Sequence, residues 1–260
     1  MKTDCIFPAD YRPLLAPLET ERAIQDLRLF FQTSLSAALN LRRVTAPLLV
    51  KSGTGINDDL NGAERPVSFD LGNGGDGLRV EIVQSLAKWK RLALAELGLE
   101  RGQGIYADMN ALRPDETLDN LHSVYVDQWD WEMVIGREDR ELAFLKRIVG
   151  KIYRVIHDTE IFVHHQYPAL VPILPEDIVF IQAGELARRY PHLTPRERED
   201  EACRRHGAVF IIGIGAELCD GRPHDGRSPD YDDWTTPNGE GTGLNGDIMV
   251  WYQVMGRAVE

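Results

Sequence analysis

The stretch "HSVYVDQWDWE", residues 122–132, limits the possible fold more than any other part of the chain. Its Val, Tyr and Trp content favours a strand. Side chains alternate across a strand, so Val124, Val126, Gln128, Asp130 and Glu132 share one face, and Tyr125, Asp127, Trp129 and Trp131 share the other. The even face therefore turns from apolar to acidic halfway along. Either this is an edge strand with solvated acids, or Asp130 and Glu132 face inward and need a cation, a metal or a water-filled pocket opposite. Arg113, a substrate ammonium and a magnesium ion all meet that need.

The surrounding elements follow from periodicity. Ile24, Leu27, Phe31, Leu35 and Leu39 fall at helical spacing from Glu19 to about Leu39, and "LRRVTAPLLV" then reads as a strand containing Pro47, to be placed at an edge or under a covering surface. "NGGDG", residues 73–77, reads as a turn before the strand "LRVEIV". A helix begins in "QSLAKWKRLALAELGL", with Ser85 as N-cap and Gly98 as stop. "GIYADMNALRPDE" is a strand running into a proline turn. Beyond the acidic strand come a helical stretch over about 138–166, the strand "DIVFIQA", helical segments through Arg205, the strand "AVFIIGIG", a polar loop over 219–243 and a last apolar strand. No repeat or low-complexity linker divides the chain, so residues 1–260 read as a single α+β domain, an antiparallel sheet flanked by helices.

Composition narrows the function. A net charge of −12 argues against broad adhesion to nucleic acid or to an anionic membrane. Cys5, Cys203 and Cys219 form no CxxC, which suits a reducing cytoplasm, and the longest apolar run, at 208–216, is too short to span a bilayer.

Candidate chemistry centres on charges. Lys88 and Lys90 stand in the first turns of a helix, where cations oppose the helix dipole and a nearby anion would relieve them. Arg113 sits at a strand-to-turn junction, where its fork of donors suits a phosphate or carboxylate. The segment "HDGRSPDYDDW" offers His224, Asp225, Asp230, Asp232 and Asp233, but adjacent His224 and Asp225 lack the spacing of a transition-metal site, and its hard oxygens suit Mg2+ carried by a nucleotide. "GIGAELCDG" matches neither a dinucleotide nor a P-loop fingerprint.

"VQSLAKWKR", "ALRPDE", "LHSVYVDQWDWE", "PDYDDW" and "LNGDI", in this order, resemble the aspartate–ammonia ligase family from about residue 40 to the end. The resemblance implies a fold like the class II aminoacyl-tRNA synthetase catalytic domain, with Leu41 to Pro47 as the dimer-forming first motif of a homodimer. It implies a cytoplasmic, ATP-dependent amidation of L-aspartate by ammonia through β-aspartyl-AMP, with ATP and Mg2+. Arg113 would bind the α-phosphate and substrate carboxylate, and Glu116 the adenine or metal-nucleotide. Ser85, Lys88 and Lys90 would bind aspartate. Asp58, Gln128, Asp130 and Asp232 would hold its ammonium or attract NH4+, with Arg113, Lys90 and Asp58 as catalytic groups. Asp247 and Glu260 would approach the nucleotide and its Mg2+. The family runs on past this point to a glycine-rich third motif, so the C-terminal part of its fold is missing here. A catalytically inactive aspartate-binding homologue, and a synthetase-like domain passing the adenylate to another acceptor, are the rival expectations.

Overall fold

The structure is a computed structural model that describes residues 5, 8–58, 60, 64–72, 77–219, 221–226 and 232–260. Its described residues fall into two compact units, one built on 39–135 and one on 8–38, 136–226 and 232–260. Three sheets are distributed between them.

In the first unit, β1 (Leu41–Arg43), β5 (Gly104–Leu112) and β6 (Tyr125–Met133) form a sheet in the order β1-β5-β6. β1 runs parallel to β5, and β5 pairs with β6 antiparallel along nine residues, from Gly104 opposite Met133 to Leu112 opposite Tyr125. A smaller antiparallel sheet holds β4 (Arg79–Ile82) between β2 (Leu49–Lys51) and β3 (Ser68–Asp70). Leu71 and Leu78 continue the β3–β4 hairpin, but 73–76 of the expected "NGGDG" turn lie outside the described residues.

The single strand expected around Pro47 is in fact two short ones. Val44 N–H makes a last bond to Tyr106 O at 2.9 Å, the chain then crosses to the other sheet, and β2 opens at Leu49. Pro47, with no N–H to give a ladder, occupies the crossing.

Helix α2 (Ala87–Glu96) lies on the β5–β6 pair. Ile105, Ala107, Met109 and Ala111 of β5 are buried beneath it, joined by Leu86, Ala93 and Leu94, and each large aliphatic burial contributes about 1.5–3 kcal/mol. The N-cap is Leu86 rather than Ser85, and Ser85 Oγ instead accepts Ala87 N–H at 3.2 Å. The stop is as expected: Gly98 takes φ +62°, and Leu99 N–H closes onto Leu94 O at 3.2 Å.

The second unit contains α1 (Pro17–Leu39, whose last residue belongs to the first unit), α3 (Leu142–Gln166), β7 (Val179–Gln182), α4 (Ala183–Arg189), α5 (Pro195–His206), β8 (Ala208–Ile212), β9 (Gly246–Tyr252) and β10 (Arg257–Val259). The sheet order is β10-β9-β8-β7, antiparallel except for β7 beside β8. That pair is parallel because α4 and α5 form the crossover between its strands. All five β8 residues are buried, which explains its unbroken apolar run. Val209 and Ile211 pack with Leu186, Ala202 and Cys203 of the crossover helices, whereas Phe210 and Ile212 pack with Val149 of α3.

α1 docks against α3 through Phe30 stacked on Phe162 at 4.3 Å and Asp26 accepting the Tyr167 hydroxyl at 2.7 Å. The expected stripe on α1 is buried only at Leu35 and Leu39, while Ile24 and Leu27 are exposed and Ala23 is the buried residue nearby. A short final strand, β10, adds to the elements read from sequence. No helix among the described residues is long and apolar enough to cross a membrane.

Candidate active site

Asp130 and Glu132 of β6 face α2. Register places Gln128 opposite Met109, Asp130 opposite Ala107 and Glu132 opposite Ile105, and those β5 residues are buried. The cation their position demands is Lys90. Its side chain is only 5% exposed, and its ammonium pairs closely with Asp130, donates to Trp131 O at 2.9 Å and lies 3.6 Å from Glu132 Oε2. Arg91 Nε stands 3.6 Å from Glu132 on the solvent side. An ammonium this deep is tolerable only with such partners.

Arg113 does not face these acids, contrary to the expected cross-strand pairing. Its N–H bonds Val124 O at 2.9 Å, six residues before Asp130, or roughly 20 Å along a strand. Its Nε donates to Gln84 O at 3.3 Å, and its terminal amino groups make no hydrogen bond to any described residue. Glu116 N–H closes the following turn onto Arg113 O at 3.2 Å. Asp115, between them, takes Arg65 in a two-pronged pair, Nη2–Oδ1 at 2.5 Å and Nε–Oδ2 at 3.1 Å. These hydrogen bonds draw the Asp115 carboxyl down to about 2.

Positions two apart on a helix point about 200° apart, so Lys88 diverges from Lys90. Lys88 Nζ lies 3.9 Å from Oδ1 of Asp58, a carboxylate only 1% exposed on the loop after β2. The anions anticipated near the start of α2 are thus the protein's own carboxylates, Asp58 and Asp130. Ser85 is half-buried just ahead of the helix, and Gln128 is exposed, with its amide making no hydrogen bond to a described residue.

The second unit carries the remaining candidates. Asp232 and Asp247 are half-buried, Asp247 on β9 opposite Ile211, and Glu260 is exposed directly after β10. Asp233 is a structural anchor: its Oδ1 accepts Arg140 at 2.9 Å and Thr235 and Thr236 N–H at 3.2 Å each. Burial works to raise its pKa, but the Thr236 side chain together with those bonds outweighs it, and the net direction is down. His224 is buried with Nε2 2.9 Å from Glu199 Oε1, a tie between its loop and α5. Asp230 lies outside the described residues. Among the described residues no three His, Cys, Asp or Glu side chains gather into a metal cage. Mg2+ generally binds through one or two carboxylates plus substrate phosphates, which the donor types of Asp247 and Glu260 fit.

Sequence reading missed Asn57, Arg65 and Gln84. Gln84 is 1% exposed, and its Nε2 donates to Arg65 O at 3.2 Å. Polar residues of this kind have no periodicity to reveal them, because their importance lies in contacts between distant segments.

The family model described as aspartate-ammonia ligase matches residues 18–260. Aspartate–ammonia ligase of Bacteroides thetaiotaomicron is 55% identical over 256 residues, covering 98% of this chain and 74% of its own length. That of Clostridium perfringens is 54% identical over 253 residues, covering 97% and 73%. Among solved structures, Entamoeba histolytica asparaginyl-tRNA synthetase in complex with asparaginyl-adenylate matches with TM-score 0.57 and 13% identity, over 89% of this chain and 49% of its own. The Pyrococcus horikoshii asparaginyl-tRNA synthetase with the same adenylate gives TM-score 0.55 and 13% identity, over 88% and 51%. The chain thus spans about half the length of these synthetases, and the likeness is one of fold.

Proposed function

The chain belongs to the aspartate–ammonia ligase family, and from that membership we propose that it converts L-aspartate, ammonia and ATP into L-asparagine, AMP and pyrophosphate. The observation that carries this reading is the state of Arg113, pinned through Nε while its terminal donors make no bond to a described residue. A guanidinium fixed at its neck presents a ready fork to a phosphate or carboxylate.

In the first step, the aspartate β-carboxylate attacks the α-phosphorus of ATP and pyrophosphate departs, with Arg113 stabilising charge on the α-phosphate. Glu116, on the same turn, meets the adenine or the metal-nucleotide. Lys90 has three N–H donors; two are committed to Asp130 and Trp131 O, and the third, with Glu132 at 3.6 Å, remains for a substrate carboxylate. Lys88 and Ser85 complete that end of the substrate. The acceptors Asp58, Gln128 and Asp130 attract the substrate ammonium and NH4+.

In the second step, ammonia attacks the acyl carbon and AMP leaves, and the nitrogen sheds a proton. Asp58 takes it, being a buried carboxylate with a cation, Lys88, nearby to balance its charge. Asp247 and Glu260 would hold Mg2+ with the phosphates, and the ion would supply charge neutralisation there. The protein acts as a homodimer through the Leu41–Pro47 segment, where β1 pairs with β5 alone among the described residues, and it works in the cytoplasm.

Incubating the purified chain with aspartate, Mg-ATP and ammonium tests this. Asparagine, AMP and pyrophosphate should appear in equal amounts, and ADP in place of AMP would refute the chemistry. Arg113→Ala should abolish pyrophosphate release with its circular-dichroism spectrum unchanged, and near-normal release would remove Arg113 from its role.

A further inference from the structure

The Asn57 carboxamide uses its whole hydrogen-bonding capacity. Its Oδ1 accepts Asp58 N–H at 3.1 Å and Gln84 N–H at 2.9 Å, and its Nδ2 donates to Glu81 Oε2 at 3.2 Å and Ile82 O at 3.1 Å. Two donors and two acceptors exhaust an asparagine side chain. The orientation of the amide is settled by the same contacts, because a flip would set NH2 against two N–H groups and the oxygen against a carboxylate and a carbonyl.

These four bonds tie the loop after β2 to β4 and to the residue just ahead of Ser85. One partner, Asp58, is the buried carboxylate beside Lys88. Another, Gln84, offers its carbonyl to Arg113 Nε and immediately precedes Ser85 and α2, which carries Lys88 and Lys90. The last two lie on β4, where Glu81 is itself held by the Ser52 hydroxyl at 2.5 Å. One side chain therefore links the loop bearing Asp58 to the residue whose carbonyl seats Arg113.

We propose that Asn57 is a positioning residue for aspartate activation, locking Asp58 and, through Gln84, Arg113 in register with the lysines of α2. This rests on the ligase reading above. Asn57 touches no reacting group; it fixes the spacing of groups that do, and small misplacements of such groups are costly to catalysis.

The test is steady-state kinetics of Asn57→Ala with aspartate varied, alongside thermal denaturation and wild-type enzyme in the same assay. The positioning role predicts that KM for aspartate rises by about tenfold or more while the melting temperature still shows a folded protein. Should Asn57→Ala fail to fold, Asn57→Ser serves, since its short uncharged hydroxyl cannot make the four bonds yet sets no second carboxylate against Glu81; the same rise is expected. A merely structural role would lower the active fraction and so reduce kcat with KM unchanged, and that result, or no change at all, overturns the proposal. A wild-type chain that forms no asparagine overturns the ligase reading and the positioning role with it.

Discussion

Lys90 shows how one residue ties stability to the site. Replacing it by Met leaves Asp130 and Glu132 beside each other under α2 with no ammonium between them. Removing one partner of a buried ion group typically costs about 3–5 kcal/mol, and the partial exposure of the two acids places Lys90→Met near the low end, about 3 kcal/mol by urea denaturation. Arg65 acts in the opposite setting, at the surface. Its pair holds Asp115 at about 2 against an ordinary 3.8, so the folded state binds its proton less readily than the unfolded chain. That contribution is complete above pH 3.8 and disappears as pH falls through about 2. Arg65→Gln should therefore lower stability modestly near neutrality, because the pair is exposed, and match wild type below pH 2. Acid-unfolding curves at low salt would reveal it, and parallel curves for the two proteins would contradict it. The sequence left two readings of Asp130 and Glu132 open, solvated acids on an edge strand or inward acids that need a cation, a metal or a water-filled pocket. The candidates it offered were Arg113, a substrate ammonium and Mg2+; Lys90, forty residues before Asp130 in the chain, comes into reach only once α2 lies on the β5–β6 pair.

At the scale of elements, the β1–β5–β6 sheet depends on close backbone approach at Gly104. A Cβ there would lie 2.4 Å from Glu132 O and 2.6 Å from Leu41 Cδ2, so Gly104→Ala must push apart either β6 or β1. Overpacking of this kind costs about 1–3 kcal/mol, and because Glu132 carries part of the Lys90 site, activity should fall with stability. A variant as stable as wild type in urea would show that the strands are less tightly joined. Helices were legible where a start or stop had local chemistry, as with Gly98 ending α2. The crossing at Pro47 and the parallel β7–β8 pair were not, because both depend on which strand a segment meets after leaving its neighbours, and three-residue strands carry almost no periodicity.

For the whole molecule, family membership and fold agree: the sequence relatives are aspartate–ammonia ligases, and the structural neighbours are class II synthetases solved with an aminoacyl-adenylate. Isotope transfer tests whether aspartate is activated by adenylylation of its β-carboxylate. With [β-18O2]aspartate, Mg-ATP and ammonium, the carboxylate oxygen that bonds to the α-phosphorus stays with phosphorus when ammonia displaces the acyl carbon. AMP should carry one 18O for each asparagine formed, read by mass spectrometry. Unlabelled AMP, or ADP with labelled inorganic phosphate, would contradict it.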